Sequence, residues 1–197
     1  MSHPQLSIVI PAAGDSKRLG QAKQLVQYKR VTLIQNALNL AHSITPAEVI
    51  VVTGAYEKEI KAAVNDNQVR WVHNERWSAG MGSSIARGVA AINPGSSGVM
   101  ILLVDQWRLQ VSDLRLLIKK WHSNKERIVC ALAEHQNMPP VIFPASCFGR
   151  LQALAGDRGA REILGSHPEL VTPVLLENAQ FDLDTPLHLQ QLENTDL

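Results

Sequence analysis

Cysteine is scarce in this chain, with Cys130 and Cys147 the two among 197 residues. Neither belongs to a CxxC pair. Cys130 lies in the apolar run 128–132 and Cys147 beside Phe148, a setting that predicts buried, reduced thiols and suits the cytoplasm better than a secreted location. A bias of charge is also missing. The 19 Lys and Arg against 18 Asp and Glu leave a formal net charge of +1. That gives no general attraction to nucleic acid or to a membrane, so any anion must be held by a local arrangement. The longest apolar run, 99–104, falls far short of the roughly 20 residues that a membrane-spanning helix needs. The segment Met1 to Gln5 has no basic region leading into an apolar stretch, so no signal peptide is expected. His73 and His135 have no Cys or His partners at metal spacing, which argues against zinc, and no Ser-His-Asp arrangement can be inferred. Repeats, low-complexity tracts and long linkers are absent. One cytoplasmic domain over 1–197 is the expectation.

What is present is a well-stocked core. Apolar residues make up 45% of the chain, and a domain of this length buries roughly 70% of its unfolded surface. Continuous apolar runs at 7–10, 49–52, 69–72, 99–104 and 128–132 alternate with helical patterns at 32–42, 57–64, 83–92 and from 112 onward, with Ser112 as N-cap. Such alternation marks strands buried on both faces between crossover helices. Short strands are expected at 141–143, 171–176 and 181–184, helices at 146–154 and 159–164, and a last helix opened by Pro186. The fold class is α/β: a Rossmann-like, three-layer domain with a mostly parallel sheet flanked by helices.

Directly after the first strand comes Ala12-Ala13-Gly14-Asp15-Ser16-Lys17-Arg18-Leu19-Gly20-Gln21-Ala22-Lys23. Small residues let backbone N–H groups approach a phosphate, and Arg18 and Lys23 supply positive charge. The spacing excludes a P-loop, because five residues separate Gly14 from Gly20 and Gln21 follows; G-x-G-x-x-G is absent too. A plain structural turn with a solvated basic rim is the competing reading. The position after the first strand of an open α/β sheet, where ligands bind at the carboxyl ends, favours function.

The motif Ala-Ala-Gly-x-Ser-x-Arg-Leu-Gly-x-x-Lys-Gln-Leu resembles that of nucleotidyltransferases, the molybdenum cofactor cytidylyltransferases among them and, more distantly, the methylerythritol phosphate cytidylyltransferases. Four further segments match in order: Asn74 to Ile85 (Asn-Glu-Arg-Trp-Ser-Ala-Gly-Met-Gly-Ser-Ser-Ile), Val104-Asp105-Gln106, Gly156-Asp157-Arg158-Gly159-Ala160-Arg161, and Asp182-Leu183-Asp184-Thr185-Pro186. The resemblance implies transfer of a nucleoside monophosphate, CMP from CTP, onto a phosphorylated acceptor such as molybdopterin, with Mg²⁺ as cofactor. It also implies a molybdoenzyme as a partner receiving the product.

By the same resemblance, Ala12, Ala13, Gly14, Ser16, Arg18 and Lys23 bind the nucleotide, with Lys23, Arg18 and Asp105 catalytic. Gly80, Ser83 and Ser84 lie against base and ribose, although an N-cap serves as well for either serine. Asp105, at the end of an apolar strand, is the expected metal ligand, joined by Asp182 or Asp184. These two stand two residues apart and share a face of a short strand. Lys23→Ala is expected to slow turnover with little change in melting. Ala13, where the guanylyl branch carries Gly, points to CTP over GTP.

Two departures bear on the acceptor. Trp107 replaces the usual Pro after Asp105-Gln106, an indole expected at the rim, and Met138-Pro139-Pro140 replaces Gly-His-Pro. A sugar or polyol phosphate is therefore an alternative acceptor, and a non-catalytic cofactor-binding or chaperone protein is an alternative class.

Overall fold

The computed structural model describes residues 5–157 and 159–195; Arg158 and the first four residues lie outside the described residues. In chain order the elements are β1 (Leu6–Pro11), β2 (Gln27–Tyr28), β3 (Val31–Thr32), α1 (Leu33–His42), β4 (Glu48–Thr53), α2 (Glu57–Ala63), β5 (Val69–His73), α3 (Met81–Val89), β6 (Gly98–Ile101), α4 (Val111–Ser123), β7 (Ile128–Ala133), β8 (Gln136–Pro144), α5 (Phe148–Gln152), α6 (Ala160–Ser166), β9 (Val171–Leu175) and α7 (Pro186–Thr195). Seven strands form one sheet in the order β5-β4-β1-β6-β8-β7-β9, while β2 and β3 make a separate two-stranded hairpin. The β8 strand pairs antiparallel with both of its neighbours, and the other pairings in the large sheet are parallel.

Alternation along β1 explains the three layers. Ile8 and Ile10 face the side covered by Ile34 and Leu38 of α1, Ile60 of α2 and Leu114, Leu117 and Trp121 of α4. Val9, between them, faces Ile85 and Val89 of α3 with Leu151, Ile163 and Leu164 of α5 and α6. Each fully buried side chain of this size stabilises by about 1.5–3 kcal/mol. A third, smaller cluster of Leu19, Leu33, Trp107, Leu183 and Leu192 ties α7 to the chain around β2. No helix among the described residues is long and apolar enough to cross a membrane.

Several boundaries differ from expectation. The β6 strand stops at Ile101 rather than at 104, because its partner at that point runs into Pro140 and Pro139, which have no N–H to donate. Those residues nonetheless belong to a nine-residue β8, much longer than 141–143. The α4 helix begins at Val111 with Gln110 as N-cap, and Asp113 Oδ2 accepts the Gln110 N–H at 2.9 Å, so Ser112 lies inside the helix. The α3 helix begins at Met81 and ends at Val89. Finally, 181–184 is not a strand, since Asp182 makes a single bridge to Gln106.

Candidate functional site

The strand order turns at β1, which has β4 on one side and β6 on the other. Open α/β sheets bind ligands in the crevice at the carboxyl ends of strands at such a reversal. Here a cavity of about 440 Å³ opens there, walled by the loop after β1, the start of α3, Leu103 to Asp105 and the chain at Asp184.

The loop is held from below. The buried Gln24 amide donates through Nε2 to the Ala12 and Gly14 carbonyls, both at 2.9 Å. Ser16 takes a positive φ of 55°, and its carbonyl accepts the Leu19 N–H at 2.9 Å and the Gly20 N–H at 3.1 Å. The Ser16 hydroxyl accepts the Lys23 backbone N–H at 3.3 Å. A side chain at Gly14 would meet nothing within 4 Å, so that backbone faces open space. Ala13, Gly14, Ser16, Arg18 and Lys23 line the cavity. Ala12 instead turns into the core on the α1 side.

Charge converges on Lys23. Its Nζ lies 2.5 Å from Asp105 Oδ2 and 2.8 Å from Asp184 Oδ1, while Arg18 Nη2 lies 2.8 Å from Asp184 Oδ2. Burial alone would pull the Lys23 ammonium down, but the Asp105 and Asp184 carboxylates outweigh it and hold the group above the ordinary lysine range. Burial likewise pushes Asp184 up, yet the hydrogen bond and charge of Lys23, with the charge of Arg18, leave it below the usual carboxylate range. Asp182 is raised, first by burial and then by the charges of Asp105 and Asp184.

Of the two tail aspartates, Asp184 lines the cavity; Asp182 stands 3.6 Å from His188 instead. Among the described residues no three of His, Cys, Asp and Glu form a ready-made metal cage. The donor set still suits a hard cation. Asp105 and Asp184 converge on one point, now taken by an ammonium, and Asp105 Oδ1 has no hydrogen-bond partner.

On the opposite wall, Gly80 precedes α3 at a φ of 111°, and a side chain there would run into Gly156 and Asp157. Both serines lie within the first turns of α3 rather than capping it. Ser84 lines the cavity; Ser83 is tied to the Gly80 and Arg76 carbonyls at 2.8 and 3.0 Å. Among the contributors that the sequence reading did not single out, three stand out: Gln24 beneath the loop, and Trp77 and Asp157 on the wall. All three stand inside the quoted motifs, which was the available signal.

Neither departure reaches the cavity wall. Trp107 is 3% exposed and packs with Tyr28 at a ring distance of 4.9 Å, while the Arg108 guanidinium lies 4.7 Å over it. A turn in which the Trp107 N–H bonds the Asp105 carbonyl at 3.0 Å accompanies this inward course, so the indole does not form the rim. Met138, within β8, turns its side chain into the core, and the Pro139 carbonyl accepts from Gln106 Nε2 at 2.7 Å.

Among known proteins, nicotine blue oxidoreductase of Paenarthrobacter nicotinovorans is 32% identical over 201 residues, covering 96% of this chain and 97% of its own. The purine catabolism protein PucB of Bacillus subtilis is 30% identical and covers 94% and 95%. The molybdenum cofactor cytidylyltransferase of Escherichia coli is 23% identical, at 92% of both chains. The solved structure of Rv0371c from Mycobacterium tuberculosis is 26% identical and superposes with a TM-score of 0.84 over 98% of each chain; another structure of that protein is a manganese complex. The family whose pattern matches residues 8–171, and thus most of the chain, is the MobA-like NTP transferase domain, and the chain belongs to it.

Proposed function

We propose that the chain, as one nucleotidyltransferase domain, moves CMP from CTP onto a phosphorylated small molecule, with molybdopterin as the foremost acceptor. One observation carries this reading: two cations, Lys23 and Arg18, stand with two carboxylates, Asp105 and Asp184, at the end of a small-residue loop that opens onto a cavity. In such a transfer an oxygen of the acceptor phosphate forms a bond to the α-phosphorus. The bond to the bridging oxygen breaks, and its electron pair leaves with pyrophosphate. No protein nucleophile is needed, and the protein's part is alignment and charge.

Lys23, drawn off its carboxylates by the more strongly charged triphosphate, donates to the phosphate oxygens where charge builds. Arg18, at the cavity mouth, holds the outer phosphates, and the backbone around Gly14 approaches them without hindrance. A divalent cation, Mg²⁺ in this reading, would be held by Asp105 and Asp184 and would neutralise charge on the triphosphate. The name of the Escherichia coli relative and the Ala13 side chain support CTP. Free, buried Cys130 and Cys147 support a cytoplasmic setting, and under this reading a molybdoenzyme receives the product.

A second reading has its own support, since the relative at 32% identity is named an oxidoreductase. A sugar or polyol phosphate also suits the same chemistry. The deciding experiment incubates the protein and Mg²⁺ with each NTP, with and without molybdopterin, and follows pyrophosphate and nucleotidylated product. A parallel assay follows NAD(P)H oxidation. Pyrophosphate release that requires molybdopterin and CTP is the expected result; turnover of reduced nicotinamide without pyrophosphate would overturn it.

A further inference from the structure

Asn74, just beyond β5, is buried, and its side-chain amide is fully engaged within the chain. Its Oδ1 accepts the Arg76 backbone N–H at 3.0 Å. A backbone N–H can only donate, so that contact fixes which end of the amide is the oxygen. The two hydrogens on Nδ2 then go to Ser83 Oγ at 2.9 Å and Ser84 Oγ at 3.0 Å. Each serine oxygen accepts from Asn74 and keeps one hydrogen of its own. Ser83 has the Gly80 and Arg76 carbonyls for that hydrogen. For Ser84 no protein acceptor is found among the described residues, and Ser84 is one of the residues that line the cavity.

We infer that Asn74 is a positioning residue that turns the Ser84 hydroxyl into a donor aimed at the ligand. Because one lone pair of Ser84 Oγ is occupied by Asn74, the free hydrogen is directed toward the cavity. The ligand group met there is an acceptor: a carbonyl oxygen or ring nitrogen of the base, or a ribose oxygen. Ser84 stands on α3, on a different wall from the phosphate loop, so this contact serves the nucleoside half. The inference rests on the nucleotide reading above and adds the direction of one hydrogen bond to it.

Equilibrium binding of CTP and of inorganic triphosphate, measured for wild type, Asn74→Asp, Ser84→Ala and the double variant, tests it. A carboxylate at position 74 accepts where the amide donated, so it recaptures the Ser84 hydrogen. Asn74→Asp is expected to weaken CTP binding about fivefold, the worth of one neutral hydrogen bond, and to leave inorganic triphosphate binding unchanged. In the Ser84→Ala background the same change is expected to have less than about a twofold effect, because its target is gone. Equal losses in both backgrounds, or parallel loss of inorganic triphosphate, would overturn the assignment. Asn74→Ala, neutral and small, also removes the donor and gives the same coupling test if the charged variant does not fold. A wild-type protein that binds inorganic triphosphate but no nucleotide would instead refute the nucleotide reading itself.

Discussion

Replacing Lys23 by Met keeps most of the side-chain volume and removes the one ammonium placed between Asp105 and Asp184. The Lys23 side chain is 19% exposed and the two carboxylate side chains 9% and 24%, so the pair with Asp105 is shielded from solvent and the pair with Asp184 less so. Stripping the partner from a buried charge costs about 3–5 kcal/mol. Partial exposure, and the Arg18 contact that Asp184 keeps, reduce this to about 1–3 kcal/mol at neutral pH. The ion pairs thus revise the expectation that melting would hardly change.

The pH dependence has a definite sign. Asp184 titrates below its ordinary value of 3.8 in the folded chain, so its stabilisation is present above that value and fades as pH falls through the depressed one. Lys23, held above 10.5, stabilises below that value and loses its effect as pH rises through its folded one. The stability gap between wild type and Lys23→Met is therefore full at pH 7 and narrows both below about pH 4 and above about pH 10.5. Calorimetry across that range measures it, and pyrophosphate release measures turnover, expected to fall about a hundredfold for a loss of ~3 kcal/mol. Wild-type turnover would refute the role of Lys23 at the phosphates; an unchanged melting temperature at pH 7 would refute the energetic weight of the ion pairs.

Asp105→Asn should keep the fold and abolish metal-dependent turnover, and full activity with unchanged metal dependence would reduce Asp105 to a partner of Lys23. In Ala13→Gly the preference for CTP over GTP, roughly tenfold to two-hundredfold if set by packing, is expected to shrink; competition kinetics with a constant ratio would move base selection elsewhere. Trp107→Ala should destabilise by about 3–5 kcal/mol while nucleotide affinity per folded molecule stays constant, because the indole is buried away from the cavity. Denaturant melts and binding isotherms on the same samples separate the two effects.

Much of the left half of the sheet was legible because its strands are continuous apolar runs. The residues of β1, β4 and β5 were found within a residue or two at each end. Legibility declined where local signals misled. Pro139 and Pro140 argue against a strand, yet both stand in β8, because the strand turns away from β6 where the missing N–H groups would have been needed. Gly80 starts α3 by backbone conformation alone, so the serines that looked like caps were free for other contacts. The motif position of Trp107 suggests a rim residue; its burial is not visible in the sequence because its companions Leu19, Leu183 and Leu192 are remote and no periodicity links them. The small-residue loop after β1 stands out as a contiguous motif; the sharing of Lys23 between Asp105 and Asp184 does not, because it joins three distant segments.

That sharing has a consequence for biosynthesis. Lys23 and Asp184 are 161 residues apart, and Asp105 emerges between them. At 5–20 residues per second a ribosome needs roughly 8–30 s to pass from the first to the last. Throughout that interval the loop lacks its final counter-charge, so Lys23 is not yet paired with Asp184. Closing so long a segment adds only slowly to the entropy cost. Formation of the complete site is thus timed by translation of the tail as well as by the chemistry of the loop.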